Sequence, residues 1–114
     1  MEVKDNGNGI KIVYIDRKFD TVTAPAVENG MLSLISKGVR KMICNLENCD
    51  YVSSMALRAT LNVAKTMQKS GGQFVLCSLS AYIQEIFELA GFTRILTIVD
   101  NQQLAIEKLS TLLK

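Results

Sequence analysis

Residues 41–58, KMICNLENCDYVSSMALR, contain the pattern that decides the fold. Lys41 to Leu46 is a short apolar run typical of a buried strand, a polar loop follows it, and Ser53-Ser54 can start a helix. A buried strand followed by a helix that returns to a neighbouring strand is the unit of α/β folds. Because ligands and partners usually meet these folds at the carboxyl ends of the strands, we expect functional residues in this loop and helix start.

Upstream of this stretch, the sequence predicts an antiparallel hairpin and a first helix. Residues 6–9, NGNG, separate Val3 from the alternating run at 10–15. Asn-Gly steps favour a hairpin turn because both residues tolerate a positive φ. The first helix is predicted from Ala24 to Lys37, with Thr23 as its N-cap.

Downstream, the alternation continues to the end of the chain. The predicted elements are a second helix lasting to Ser70, a strand Phe74–Cys77, a third helix capped by Ser80 and ended by Gly91, a strand Ile95–Val99, and a last helix opened by a capping box of Asp100 with Gln103. The apolar residues predicted to face the protein body include Leu57, Leu61 and Ala64 in the second helix, Ala90 in the third, and Leu104, Leu109, Leu112 and Leu113 in the last. Together these features predict one α/β domain over residues 1–114, with about four helices and a mixed sheet whose antiparallel hairpin is followed by parallel strands.

Composition excludes several classes of function. The 114 residues suffice for one domain, and 48% hydrophobic with 21% charged residues is ordinary for a globular protein. No apolar run approaches the roughly 18 residues of a membrane span. The net charge is only +2, with Lys and Arg scattered, which argues against a nucleic-acid partner. Since the chain has no histidine, it cannot form a Ser-His-Asp or Cys-His pair or an imidazole metal site. We expect no metal and no cofactor.

The three cysteines are predicted to be structural. Cys44, Cys49 and Cys77 are odd in number, lack C-x-x-C spacing and stand among apolar neighbours. The number, spacing and apolar surroundings of these cysteines favour buried free thiols in a reducing cytoplasm. A small enzyme that uses Cys49 or the loop carboxylates is an alternative, and a reactive Cys49 thiol would support it.

The serine pair allows two interpretations. Backbone N–H groups at a helix start favour an anion, so a phosphate on Ser54 is compatible with the fold, and Arg58 lies one turn further on to pair with it. The simpler interpretation is that Ser53 and Ser54 only cap the helix. Met55 is predicted to be an exposed apolar contact, whereas Tyr51 lies either at the rim of a contact surface or packed within the loop.

Four motifs in order, spread over almost the whole chain, resemble the STAS domain of bacterial anti-sigma factor antagonists. They are Phe19–Pro25, Asn45-Leu46 followed by Tyr51–Arg58, Gly71–Leu76, and Phe87–Phe92. Three positions depart from the family pattern: Ser53 replaces a frequent aspartate, Ala56 the usual glycine, and Arg17-Lys18 a small residue. We expect the Ala56 methyl group to lie where the backbone of a partner approaches.

The resemblance implies a switch between partners, with no enzyme activity. In that family the unphosphorylated antagonist binds an anti-sigma factor serine kinase of the histidine-kinase-like ATPase class, the kinase phosphorylates a serine at the second helix start, and a metal-dependent serine phosphatase reverses the modification. By correspondence the phosphoacceptor is Ser54, with Ser53 as the alternative. The predicted partner-binding residues are Asp20, Thr21, Tyr51, Ser53, Ser54, Met55 and Arg58. A non-phosphorylated STAS scaffold or accessory subunit of a signalling or transporter complex is the alternative function.

Overall fold

The computed structural model describes residues 1–111, which form two sheets and four α-helices. The strands are β1 (Glu2–Asp5), β2 (Ile10–Tyr14), β3 (Arg17–Phe19), β4 (Lys41–Asn45), β5 (Cys49–Val52), β6 (Gln73–Cys77) and β7 (Thr97–Val99). The helices are α1 (Ala24–Ser36), α2 (Ser54–Lys69), α3 (Ala81–Leu89) and α4 (Gln102–Thr111), and a short 3-10 helix spans Phe92–Arg94. The predictions for Leu112 and Leu113 lie outside the described residues.

The main sheet has five strands in the order β1-β2-β4-β6-β7. Strands β1 and β2 pair antiparallel, and each later neighbour pairs parallel. The hairpin turn has positive φ at Gly7, Asn8 and Gly9, which is why glycine and asparagine are needed there. The predicted mixed sheet with its antiparallel hairpin is therefore confirmed.

Helices cover both faces of this sheet. The larger core contains the buried residues of α1, α2 and α3, as expected for crossovers of one hand between parallel strands. The smaller core lies on the opposite face, where Ala105 and Leu109 of α4 contact β-strand residues such as Ile12, Ile43 and Val75. Because α1 and α2 both begin at the carboxyl ends of strands, their N-termini meet at one edge of the domain.

A second, two-stranded sheet was not predicted from the sequence. Strands β3 and β5 pair in parallel, with a bulge between Arg17 and Lys18. The two strands contain three and four residues, and most of their side chains are exposed, so neither shows the hydrophobic alternation that reveals a strand. The exceptions are Phe19 of β3 and Cys49 and Val52 of β5, because their side chains are buried in the larger core.

The predicted buried faces of α2, α3 and α4 were wrong in detail. The buried side of α2 is formed by Ala56, Ala59, Thr60, Val63 and Met67. Leu57, Leu61 and Ala64 are only partly buried, because the apolar arc of this helix is broad and its smallest residues approach the sheet most closely. Ala90 and Leu104, predicted to face inward, are exposed, whereas Leu109 is buried.

The two predicted caps differ from the structure in detail. Thr23 is the N-cap residue of α1, as predicted, but its side chain makes no hydrogen bond to the first turn, because its Oγ1 accepts from the Asp20 amide and donates to the Lys18 carbonyl, each at 2.9 Å. Helix α4 is capped by Asn101, whose Oδ1 accepts from the Leu104 amide at 2.9 Å, and Asp100 lies one residue earlier. The last strand was predicted from Ile95 but begins at Thr97. Ile95 directly follows the 3-10 helix and is exposed, so it does not take part in the sheet.

Candidate functional site

Ser53 and Ser54 have different roles at the start of α2. Ser53 is the N-cap, with extended backbone dihedrals, and its Oγ accepts from the Ala56 amide at 3.1 Å. Its side chain is only 9% exposed. Ser54 is the first residue of the helix and is exposed. The capping hydroxyl and the accessible hydroxyl therefore belong to two adjacent serines.

The electrostatics of this helix start suit a negative charge. The first turn, Ser54 to Leu57, contains no acidic residue, so the partial positive charge of the helix N-terminus is not neutralised within the turn. Arg58 is exposed one turn beyond Ser54 on the same helix. A phosphate on Ser54 is thus compatible with the folded domain.

The loop between β3 and α1 lies beside this helix start and is held by hydrogen bonds. The Ser53 amide donates to the Phe19 carbonyl at 3.0 Å, which joins the loop to the N-cap of α2. Within the loop, Asp20 Oδ1 accepts from the amides of Val22 and Thr23, each at 3.0 Å. The Asp20 amide donates to Thr23 Oγ1 at 2.9 Å. The predicted contact residue Asp20 thus directs its carboxylate into its own loop.

We expect this loop to lose order in acid. The hydrogen bond from the Thr23 amide is the main cause that lowers the pKa of Asp20 from 3.8. Because the pKa is lowered on folding, the stabilising contribution is present above 3.8 and is lost as the pH falls through the folded-state value. An NMR titration of the Val22 and Thr23 amides should report an apparent pKa below 3.8, and a value at or above 3.8 would contradict the hydrogen bonds from these amides to Asp20.

Three apolar side chains are exposed around the serines. Val22 is 84% exposed, Tyr51 43% and Met55 38%. Met55 is exposed as predicted, and Tyr51 lies on the surface and is not packed in the loop. Val22 was not predicted, although an apolar residue between two threonines in a polar loop was a usable signal. Met55 and Arg58 also line an open groove of about 340 Å³ between α1 and α2.

The expectation about Ala56 was wrong. Its side chain is fully buried and belongs to the larger core. A methyl group at this position therefore packs inside the domain and does not stand between the helix start and a partner. The other predicted contact residues, Thr21 and Arg58, are exposed.

The cysteines are buried free thiols, as predicted. Burial is the main cause that raises the pKa of each thiol above its ordinary value, so the reactive thiolate is disfavoured. The Cys49 thiol also donates to the Tyr51 carbonyl at 3.3 Å.

Within residues 1–111, no cluster of three or more Cys, Asp or Glu side chains is placed to hold a metal ion. In the same part of the chain, no helix is long and apolar enough to cross a membrane.

Comparison with known proteins agrees with this arrangement of strands and helices. A family model described as the STAS domain matches residues 3–105, and the chain belongs to the STAS domain family. BtrV of Bordetella bronchiseptica, described as a candidate anti-sigma factor antagonist, is 30% identical over 109 residues, which cover 96% of this chain and 94% of BtrV.

Solved structures share the fold. A crystal structure of a candidate anti-sigma factor antagonist from Thermotoga maritima has a TM-score of 0.90 at 22% identity and covers 96% of this chain and 93% of its own. The phosphorylated form of the Bacillus cell fate determinant SpoIIAA has a TM-score of 0.74 at 14% identity, covering 94% and 96% of the two chains. At these identities the two structures establish the fold alone.

Proposed function

We propose that this protein is an anti-sigma factor antagonist whose partner binding is switched by phosphorylation of Ser54. The observation that carries the proposal is the exposed Ser54 hydroxyl at the first position of α2, beside a Ser53 hydroxyl already used as the cap. BtrV, the relative at 30% identity, is described as a candidate protein of this function. SpoIIAA, a protein of the same fold, exists in a phosphorylated form.

The proposed partner is an anti-sigma factor serine kinase of the histidine-kinase-like ATPase class. The unmodified site offers Tyr51 and Met55 as apolar contacts, with the neutral Ser54 hydroxyl between them in the chain. Phosphorylation places about −1.5 to −2 charges there, and burying that charge in an interface is costly. The modified antagonist is then released, and a metal-dependent serine phosphatase restores it.

The proposal requires that the modification leave the domain folded. The α2 N-terminus favours the added charge, and the Ala56 amide already has its partner in Ser53 Oγ. The phosphate therefore alters the surface without removing the cap. This separation between capping serine and acceptor serine allows binding to change while the fold is maintained.

Phosphate transfer tests the proposal. We expect purified ATPase-class anti-sigma factor kinases from the same genome to transfer the γ-phosphate of ATP to the wild type and to Ser53→Ala, but not to Ser54→Ala. Ser53→Ala should lower the free energy of unfolding by about 1 kcal/mol, because it removes the cap. Phosphopeptide mass spectrometry identifies the modified residue.

Two results would contradict the proposal. Transfer to Ser53 in the wild type would move the acceptor to the capping residue. No transfer by any such kinase would favour the alternative of a non-phosphorylated STAS scaffold or accessory subunit.

A further inference from the structure

Val22 combines exposure with a fixed backbone. At 84%, it is the most exposed large apolar side chain in residues 1–111. Its amide donates to Asp20 Oδ1 at 3.0 Å, and the next amide, that of Thr23, donates to the same oxygen. A single exposed apolar residue is ordinary on a protein surface. One that is held in a hydrogen-bonded turn has already lost most of the backbone freedom that binding would otherwise remove.

The turn is fixed at both ends as well. Thr23 Oγ1 donates to the Lys18 carbonyl at 2.9 Å, and the Ala24 amide donates to the Asp20 carbonyl at 2.8 Å. Together with the amides of Asp20, Val22 and Thr23, five donors are thus satisfied within residues 18–24. The loop therefore holds the backbone of Val22 in place, and it does so through one oxygen of the Asp20 carboxylate, Oδ1.

Val22 also lies on the side of the domain that carries Ser54. The strand before its loop, β3, pairs with β5, the strand that leads directly into α2. The Phe19 carbonyl accepts from the Ser53 amide at 3.0 Å, so the loop and the helix start are joined by a direct hydrogen bond. A partner that covers Ser54, Tyr51 and Met55 is in reach of the loop that carries Val22.

We infer that Val22 is a preorganised apolar contact for the anti-sigma factor kinase, and that Asp20 is the positioning residue that presents it. The inference rests on the proposed function. It requires a small apolar pocket on the kinase beside the surface that receives Ser54. Such a contact discriminates between partners. In a complex with a kinase that has a charged group at that place, either Val22 would lack an apolar contact or the charged group would lose its water.

The chain offers a matched control for Val22. Leu89 is 81% exposed, nearly the same fraction, but it ends α3. Helix α3 starts after the carboxyl end of β6 and runs back, so Leu89 lies at the opposite edge of the sheet from Ser54. If the loss of affinity came only from replacing any exposed apolar side chain by a charged one, the substitutions at Val22 and at Leu89 would weaken binding equally.

The test compares affinities for the purified ATPase-class kinase by isothermal titration calorimetry. We expect Val22→Asp to weaken binding about 100-fold and the nearly isosteric Val22→Thr about 10-fold, the losses expected when an apolar anchor is removed from its pocket. Leu89→Asp should stay within about 2-fold of the wild type. Thermal unfolding checks that each variant is folded.

A double-mutant cycle tests the role of Asp20. Asp20→Ala should weaken binding about 10-fold, and Asp20→Asn, which retains an acceptor oxygen for both amides, should recover most of the affinity. In the Asp20→Ala background, Val22→Thr should cost much less than in the wild type, because the loop no longer holds the side chain in place. A residue important only for stability would produce no such coupling.

Each result decides between the proposals. If the wild type binds and Val22→Asp binds equally well, this inference is overturned while the proposed function stands. Additive effects of Asp20→Ala and Val22→Thr would overturn the positioning role. If no ATPase-class kinase binds the wild type, both proposals fall together.

Discussion

Ser54→Asp is expected to weaken binding to the anti-sigma factor kinase by about 100-fold or more, and Ser54→Ala should bind as the unmodified protein does. The aspartate introduces a carboxylate at an exposed position, which the free domain tolerates because it lies at the helix N-terminus. In the complex the same carboxylate loses its water, and the desolvation penalty appears as lost affinity. The alanine variant removes only a hydroxyl and adds no charge.

The measurement is a titration of the purified kinase with each variant, with Ser53→Ala as a control for changes in the helix cap. Thermal unfolding separates binding from stability. We expect Ser54→Asp to be at least as stable as the wild type, since a negative charge is favourable in the first turn. Equal affinity of Ser54→Asp and Ser54→Ala would show that charge at this position does not control the complex.

Phe19→Ala is expected to lower the free energy of unfolding by about 3–5 kcal/mol. Phe19 belongs to the larger core and is one of the largest fully buried side chains of the protein. Truncation to alanine leaves a cavity between β3 and the helices. A domain of this kind is stable by only about 5–15 kcal/mol, so the variant should unfold at a much lower urea concentration.

The matched control is Phe19→Leu, which keeps much of the apolar volume and should cost about 1 kcal/mol. Urea denaturation followed by circular dichroism gives both values. The loss matters for the site because the Phe19 carbonyl accepts from the Ser53 amide. A cost for Phe19→Ala as small as that for Phe19→Leu would mean that β3 is not anchored in the core.

Local patterns explain why much of the fold was predictable. Helix α1 was predicted from Ala24 to Lys37 and spans Ala24–Ser36. The hairpin follows from two Asn-Gly steps, in which Gly7, Asn8 and Gly9 adopt positive φ. The start of α2 follows from the serine pair, since Ser53 accepts from the amide three residues on. Each signal depends on residues within about one turn of each other, so the sequence contains it directly.

The errors are of two kinds, namely shifts by one residue and an element that depends on contacts between distant segments. The cap of α4 at Asn101 and the face of α2 differ from the prediction by a single residue, which is the precision that local patterns have. The sheet of β3 and β5 has no pattern of its own, because its strands are short and polar on one side. Its existence depends on the burial of Phe19 and Val52 in a core formed by the three crossover helices.

By itself, the sequence determined an α/β domain with a mixed sheet, three buried thiols and a serine pair at the start of a helix. Only the tertiary structure decided which serine faces solvent, that Ala56 points into the core, and that the Asp20 loop presents Val22 beside the helix start. The physical reason is that strand alternation, helix periodicity and capping are set by near neighbours, whereas burial and the pairing of β3 with β5 are set by residues that meet only when the chain has folded.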